Sequence, residues 1–174
     1  MKRLLTLILI LTVHNLAGQE IKKINSERST IGYTGNHYLH KWSADNTNIS
    51  GLIQLDEKSI LNIGVVAKVT DFKSGNSSLD SNSFRALEAL KFPNIVFKST
   101  EIKEINGKIN INGLIEFHGI EEIIKLEADL IQVDGFTNLT GEFSLSLTDF
   151  LIDLPSLLLR KIDDEISIKF DIFY

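Results

Sequence analysis

Apolar and polar residues alternate along most of the chain from Glu20 onward, which is the pattern of strands that bury one face. The clearest run is residues 108–118, where Ile109, Ile111, Ile115 and Phe117 fall on one face. The segments with this pattern are residues 28–34, 49–56, 60–72, 94–103, 108–118, 124–130, 139–147 and 166–172. The alternation therefore predicts about eight strands.

Residues 79–92 break the alternation. Phe84, Leu87 and Leu90 are spaced by three, which is a helical spacing, and Pro93 follows them. We expect one short helix around residues 80–91, with Asp80, Ser81 or Ser83 as its N-cap. Because no long helices alternate with the strands, the sequence excludes a parallel α/β sheet.

Antiparallel strands with one apolar face each can bury those faces in a closed barrel or in a sandwich of two sheets. Closure removes exposed sheet edges, and the long segment 60–72 suits a tilted barrel strand. The predicted fold is all-β, an eight-stranded antiparallel barrel with one short helix, and the sandwich is the alternative.

The first nineteen residues have the pattern of an export signal. Lys2 and Arg3 precede an apolar run over residues 4–13, and Ala17-Gly18-Gln19 supplies small residues for cleavage. The run is shorter than the roughly 20 residues that span a bilayer. We expect a cleaved signal peptide over residues 1–19 and one domain over residues 20–174, in the periplasm or outside the cell. The alternatives are a buried N-terminal strand or an uncleaved anchor.

Composition narrows the function by exclusion. The chain has no cysteine, which removes disulfides, cysteine nucleophiles and cysteine-ligated zinc. Its formal charge of −5 argues against nucleic acid as a partner. After the expected signal, no second apolar run has membrane length. The chain has no nucleophile elbow, phosphate-binding loop or zinc-protease motif.

Three histidines outside the signal are the remaining candidates for chemistry. His37 and His40 are three residues apart, so on one strand they would point to opposite faces, which argues against a shared metal ion. His118 precedes Gly119 in a predicted turn. We interpret it as a turn or rim residue, and a base in a hydrolase or isomerase is the alternative. The sequence predicts no catalytic residue, no metal site and no cofactor.

Leu157, Leu158 and Leu159 follow Pro155 and precede Arg160. They are expected to cap the core, because buried leucines are common. A hydrophobic lip at a barrel mouth is the alternative interpretation.

Four blocks of the chain stand out in order: residues 69–76 followed by Leu79-Asp80-Ser81, residues 87–99 with Pro93 and Phe97, residues 109–120, and Phe143 with Asp149-Phe150. Together these blocks resemble the YceI-like family of bacterial exported lipid-binding proteins. The resemblance covers about residues 46–172. One departure is Leu151, where the family often has glycine after the Asp-Phe pair.

The resemblance implies a lipocalin-like, eight-stranded barrel that holds a polyisoprenoid or similar long apolar molecule without transforming it. It also implies that the apolar strand faces turn inward and surround the ligand. The residues predicted to bind lipid are Phe97, Ile109, Ile111, Ile115, Phe117, Leu126, Phe143, Leu145, Ile168 and Phe170. We expect a monomer or weak homodimer. The alternatives are an enzyme that uses His118, or a structural or stress-related exported barrel filled by its own side chains.

Overall fold

The computed structural model describes residues 18–57, 59–157 and 159–174. The strands are β1 (Glu20–Lys23), β2 (Thr30–His37), β3 (His40–Asn46), β4 (Ile49–Asp56), β5 (Ser59–Lys68), β6 (Asn94–Ile105), β7 (Lys108–Phe117), β8 (Ile120–Val133), β9 (Phe136–Ser146), β10 (Ser156–Leu157), β11 (Arg160–Lys161) and β12 (Glu165–Phe173). One α-helix, α1 (Ser77–Ala86), lies between β5 and β6, and 3-10 turns cover Val69–Asp71 and Leu147–Phe150. Residues 1–17 of the expected export signal lie outside the described residues.

Ten strands form one antiparallel sheet in the order β1-β4-β5-β6-β7-β8-β9-β12-β2-β3, and β10 pairs with β11 in a small separate hairpin. The prediction of an all-β, barrel-like antiparallel fold is confirmed, although the strand count differs from eight. β1 is short, and β3 carries Trp42, Ala44 and Asn46 along one face. That mixed face weakens the alternation, which is why β3 was missed.

Two connections link strands that lie far apart in the pairing order of the curled sheet. Between β1 and β2, the Ile24 amide donates to the Gly51 carbonyl of β4 at 3.0 Å, and the Asn25 amide donates to the Phe173 carbonyl of β12 at 2.8 Å. At the end of β3, the side-chain amide nitrogen of the buried Asn46 donates to the Lys68 carbonyl of β5 at 3.2 Å. The first connection therefore links β4 to β12, and the second links β3 to β5.

The helix begins earlier and ends earlier than predicted. The Asn76 side chain accepts hydrogen bonds from the Ser78 and Leu79 amides at 3.0 and 3.1 Å, so Asn76 is the N-cap. Asp80 instead accepts from the Ser74 amide at 2.9 Å. After Ala86 the chain turns, with Glu88 in a left-handed conformation at φ 44°. The prediction of one short helix in this connection is confirmed, but its N-cap is Asn76 and not Asp80, Ser81 or Ser83, because Asn76 supplies the cap before the apolar pattern starts.

The two ends of the barrel-like sheet differ. At one end, called the α1 end, lie α1, the β2–β3 hairpin and residues 147–157 and 159–164. At the opposite end, called the far end, the β6–β7 and β8–β9 hairpins turn. Much of the fully packed core lies toward the far end, including Ile53, Ile60 and Ile109.

Candidate functional site

A cavity of about 360 Å³ lies inside the curled sheet. Its volume is within the roughly 300–1,000 Å³ of typical small-molecule sites. Every strand of the main sheet except β1 and β4 contributes lining residues. The helix α1 contributes further lining residues at the α1 end of the sheet. None of the described lining residues is Asp, Glu, Lys or Arg. The arrangement suits an apolar molecule with few polar groups.

Nine of the ten residues predicted to bind lipid line this cavity. They are Phe97, Ile111, Ile115, Phe117, Leu126, Phe143, Leu145, Ile168 and Phe170. Their placement follows from strand parity, since alternate residues of one strand share a face. That they contact a lipid stays a prediction.

Ile109 does not line the cavity. It is 6% exposed and belongs to the packed cluster at the far end, together with Ile53 and Ile60. Ile109 shares the inward face of β7 with Ile111, but it lies next to the β6–β7 turn. There the core side chains of other strands fill the interior, so parity alone could not separate the two isoleucines.

Sequence reasoning missed the part of the site on β2, β3 and α1. Tyr33 and His37 of β2, with His40 and Trp42 of β3, line the cavity. From α1 and the turn after it, the lining includes Leu79, Ser83, Phe84 and Leu87. The inward face of β2 could have been found in the sequence, since Ile31, Tyr33, Gly35 and His37 occupy alternate positions. The apolar pattern on this face is weak because two of the four residues are glycine and histidine.

The absence of a side chain at Gly35 leaves space for the Trp42 indole. A Cβ at Gly35 would lie 2.3 Å from Cζ2 of Trp42, closer than real Cβ contacts come. The two residues pair across the β2–β3 hairpin, so the indole lies directly over the glycine. Trp42 therefore lies flat against the wall at the α1 end.

His37 ends β2 and lies at the α1 end of the cavity. It is 6% exposed, and neither ring nitrogen has a hydrogen-bond partner among the described protein atoms. Its ring centroid lies 4.5 Å from that of Tyr38 and 6.0 Å from that of His40. A buried imidazole without partners is unusual, because buried polar groups are nearly always hydrogen-bonded.

The two histidines of the hairpin share one face, contrary to the sequence prediction. His37 and His40 are directly paired because the chain turns at Tyr38 and Leu39, so they do not lie on a single strand. Both line the cavity. Within the described residues, no group of three or more His, Asp or Glu side chains is arranged to hold a metal ion.

Tyr33 places a hydroxyl in the apolar wall. Burial raises the pKa of this group above its ordinary value, a hydrogen bond with Ser83 opposes the rise, and the charge of Asp80 adds to it. The ring also packs against Phe72, with centroids 5.7 Å apart. The Tyr33 hydroxyl is therefore a neutral group beside α1.

His118 lies outside the cavity and holds loops together. Its Nδ1 is 3.0 Å from the Phe150 carbonyl oxygen, and its Nε2 is 3.0 Å from a Glu88 carboxylate oxygen. Phe92 packs on the ring, with centroids 4.6 Å apart. Both nitrogens face protein groups, and His118 does not line the cavity.

Leu159 is fully exposed, so it does not cap the core, contrary to expectation. It lies between β10 and β11 in a left-handed conformation at φ 65°. The neighbouring Arg160 guanidinium lies 4.7 Å from the centre of the exposed Tyr38 ring. Leu158 lies outside the described residues, and the structure describes only the backbone of Leu157.

Comparison with known proteins gives a family match over most of the chain. The model of a family described as the YceI-like domain matches residues 23–174. A UPF0312 protein of Vibrio parahaemolyticus is 29% identical over 117 residues, which is 61% of this chain and 61% of that protein. A UPF0312 protein of Vibrio campbellii is 28% identical over 59% of this chain and 60% of its own length. The match thus spans about three fifths of these curated relatives.

Three solved structures share the fold. BcnA of Burkholderia cenocepacia has a TM-score of 0.78 at 15% identity, over 87% of this chain and 99% of that one. A polyisoprenoid binding domain from Saccharophagus degradans has a TM-score of 0.71 at 9% identity, over 90% and 98%. The Campylobacter jejuni YceI protein has a TM-score of 0.62 at 19% identity, over 72% and 80%. Within the part of this chain that the structure describes, no helix is long and apolar enough to cross a membrane.

Proposed function

The chain belongs to the YceI-like domain family, and from this premise we propose that it binds a polyisoprenoid or similar long apolar molecule inside its curled sheet. It binds this molecule without transforming it. The structural neighbour described as a polyisoprenoid binding domain supports the ligand class.

The cavity is the observation that carries this proposal. About 360 Å³ stays open inside a sheet whose far end is filled by its own side chains. The apolar lining would gain roughly 25 cal/mol for each Å² of apolar surface removed from water. Part of that gain is offset by the ordering of the ligand. The alternative of a barrel filled by its own side chains fits poorly with this open volume.

The geometry of His118 supports binding without catalysis. Its two nitrogens face Phe150 and Glu88, and it does not line the cavity that would hold a substrate. A general base must come within about 3 Å of the proton that it abstracts. The enzyme alternative that uses His118 thus lacks contact between its base and a ligand in the cavity.

Export is the second part of the proposal. Lys2, Arg3 and the apolar run over residues 4–13 support a cleaved signal and a periplasmic or secreted protein. N-terminal sequencing of the exported protein tests this, with a mature start between Gly18 and Ile21 expected. An intact Met1 in the exported fraction would refute it.

The decisive experiment fills the cavity. Ile115 is 6% exposed and lines the cavity, so Ile115→Trp places an indole in the space that a ligand would occupy. Wild-type protein should release an apolar molecule into organic solvent, detected by mass spectrometry, and the variant should not. Circular dichroism should show a folded variant, since the added volume enters open space.

The matched control is Ile123→Trp on the same sheet. Ile123 is 73% exposed, so the same substitution there leaves the cavity unchanged and should retain the ligand. Leu145→Trp is a second cavity variant in case Ile115→Trp does not fold. A wild-type protein that carries no apolar molecule and binds none when it is added contradicts the proposal.

A further inference from the structure

We infer that His37 binds an uncharged polar end group, a hydroxyl or a carbonyl, of the apolar molecule in the cavity. This inference rests on the proposed function and adds to it the chemistry of one end of the ligand. It also gives the ligand a direction, with the polar end at the α1 end and the apolar chain toward the far end.

The first observation is the unmet hydrogen-bonding capacity of His37. Its side chain is buried, and neither Nδ1 nor Nε2 has a partner among the described protein atoms. Leaving such a group unpaired costs more than a typical hydrogen bond contributes. Asn36 and Asn138 also have a buried oxygen without a partner, but neither lines the cavity. Among these three residues, only His37 lines the cavity.

The second observation is the position of His37. β2 brings Ile31 and Tyr33 along the cavity wall before His37 ends the strand. The segment that precedes β12 contacts this end of β2, where the Asp163 amide donates to the Asn36 carbonyl at 2.9 Å. A molecule lying along the wall would therefore bring one end to the imidazole.

The lining selects an uncharged group. A phosphate or carboxylate beside His37 would be buried among residues that carry no Lys or Arg, and burying an unpaired charge is very costly. A neutral imidazole offers one N–H donor and one acceptor nitrogen. A hydroxyl matches either nitrogen, and a carbonyl matches the N–H. Arg160 lies over the Tyr38 ring and Lys73 lies over the Phe84 ring, but neither cation lines the cavity.

The experiment compares three probes that share one twenty-carbon isoprenoid chain. They are geranylgeraniol, the corresponding hydrocarbon without the hydroxyl, and geranylgeranyl phosphate, each titrated into delipidated protein. Wild-type protein should bind the alcohol about tenfold more tightly than the hydrocarbon, which corresponds to one hydrogen bond with a buried partner. The phosphate should bind more weakly than the alcohol.

His37→Leu tests the assignment directly. The variant should lose the preference for the alcohol and bind the hydrocarbon at least as tightly as wild type does. Its unfolding midpoint without ligand should be unchanged or higher, because an unpaired polar group has been removed. His37→Gln, which keeps a donor and an acceptor, should retain part of the preference.

His40→Leu is the matched control. His40 also lines the cavity but is exposed, so water satisfies its nitrogens and the preference should persist. Equal loss of alcohol and hydrocarbon binding in His37→Leu would mean that His37 only packs, and would overturn the inference. A wild-type protein that binds alcohol and hydrocarbon equally, or the phosphate most tightly, would also overturn it. If none of the probes binds, the proposed function fails and the inference fails with it.

Discussion

Inward-facing glycines let aromatic rings lie against the sheet. A Cβ at Gly113 would lie 2.3 Å from Cε2 of Phe97, and one at Gly141 would lie 2.7 Å from Cζ of Phe170. Gly35 does the same for Trp42. These rings form part of the cavity wall, so the missing side chains shape the space beside them.

Substitution of Gly113 should therefore affect both stability and binding. Gly113→Val would push the Phe97 ring into the cavity, and such overpacking costs about 1–3 kcal/mol of unfolding free energy. Urea denaturation and titration with an apolar probe measure the two effects. Gly64→Val is the control, because nothing lies within 4 Å of a Cβ at that position. Equal effects of the two substitutions would contradict the packing argument.

Tyr33 should make stability fall at alkaline pH. Burial raises the pKa of its hydroxyl in the folded protein, with Ser83 opposing and Asp80 adding to the rise. Above about pH 10 the unfolded tyrosine loses its proton while the folded one keeps it. The unfolded state then binds fewer protons, so the unfolding free energy decreases as pH rises through the folded pKa.

Tyr33→Phe should reduce this alkaline loss, measured as the unfolding midpoint between pH 9 and pH 11. Burial also raises the pKa of Tyr174, so part of the loss should remain. Tyr38→Phe is the control for the loss of a tyrosine hydroxyl, since Tyr38 is 54% exposed. An identical profile for wild type and Tyr33→Phe would refute the argument.

At the level of elements, α1 is the least anchored part of the cavity wall. None of its residues is fully buried, although Leu79, Ser83 and Phe84 line the cavity. Its start depends on the Asn76 side chain, which binds two amides of the first turn. A helix with so little packing depends strongly on its cap.

Asn76→Ala should lower the unfolding free energy by about 1 kcal/mol, the typical contribution of an N-cap. Hydrogen exchange of the α1 amides should accelerate more than exchange in the β7 and β8 amides. Ser78→Ala is the control, because it keeps the backbone amide that Asn76 binds. Uniformly faster exchange throughout the protein would instead indicate that α1 unfolds only with the sheet.

For the whole molecule, ligand binding should appear as added stability. A ligand at one hundred times its Kd adds about 2.7 kcal/mol if it binds only the folded state. In a chain of this size that corresponds to a rise in Tm of about 5–10 °C. Calorimetry before and after organic extraction and relipidation measures it. Ile115→Trp should show no such shift, and an equal shift in both proteins would place the ligand outside the cavity.

The amino-acid sequence by itself determined which side of each regular strand is apolar. In β7, β9 and β12, apolar and polar residues alternate, and successive side chains of a strand point to opposite faces. The apolar face of each strand can therefore be assigned without knowing which strands are its neighbours. Ile111, Phe143 and Phe170 therefore line the cavity as parity predicted. The family blocks lie in and around α1, β6, β7 and β9, and the family that they indicate is confirmed by the YceI-like domain match over residues 23–174.

Only the tertiary structure decided how far the interior is filled and which polar groups meet it. Ile109 and Ile111 share one strand face and one packed cluster, yet only Ile111 also lines the cavity. That difference depends on backbone pairs far apart in sequence, such as Asn25 with Phe173. The turn at Tyr38 and Leu39 likewise brings His37 opposite His40, because a local spacing cannot tell one strand from a hairpin.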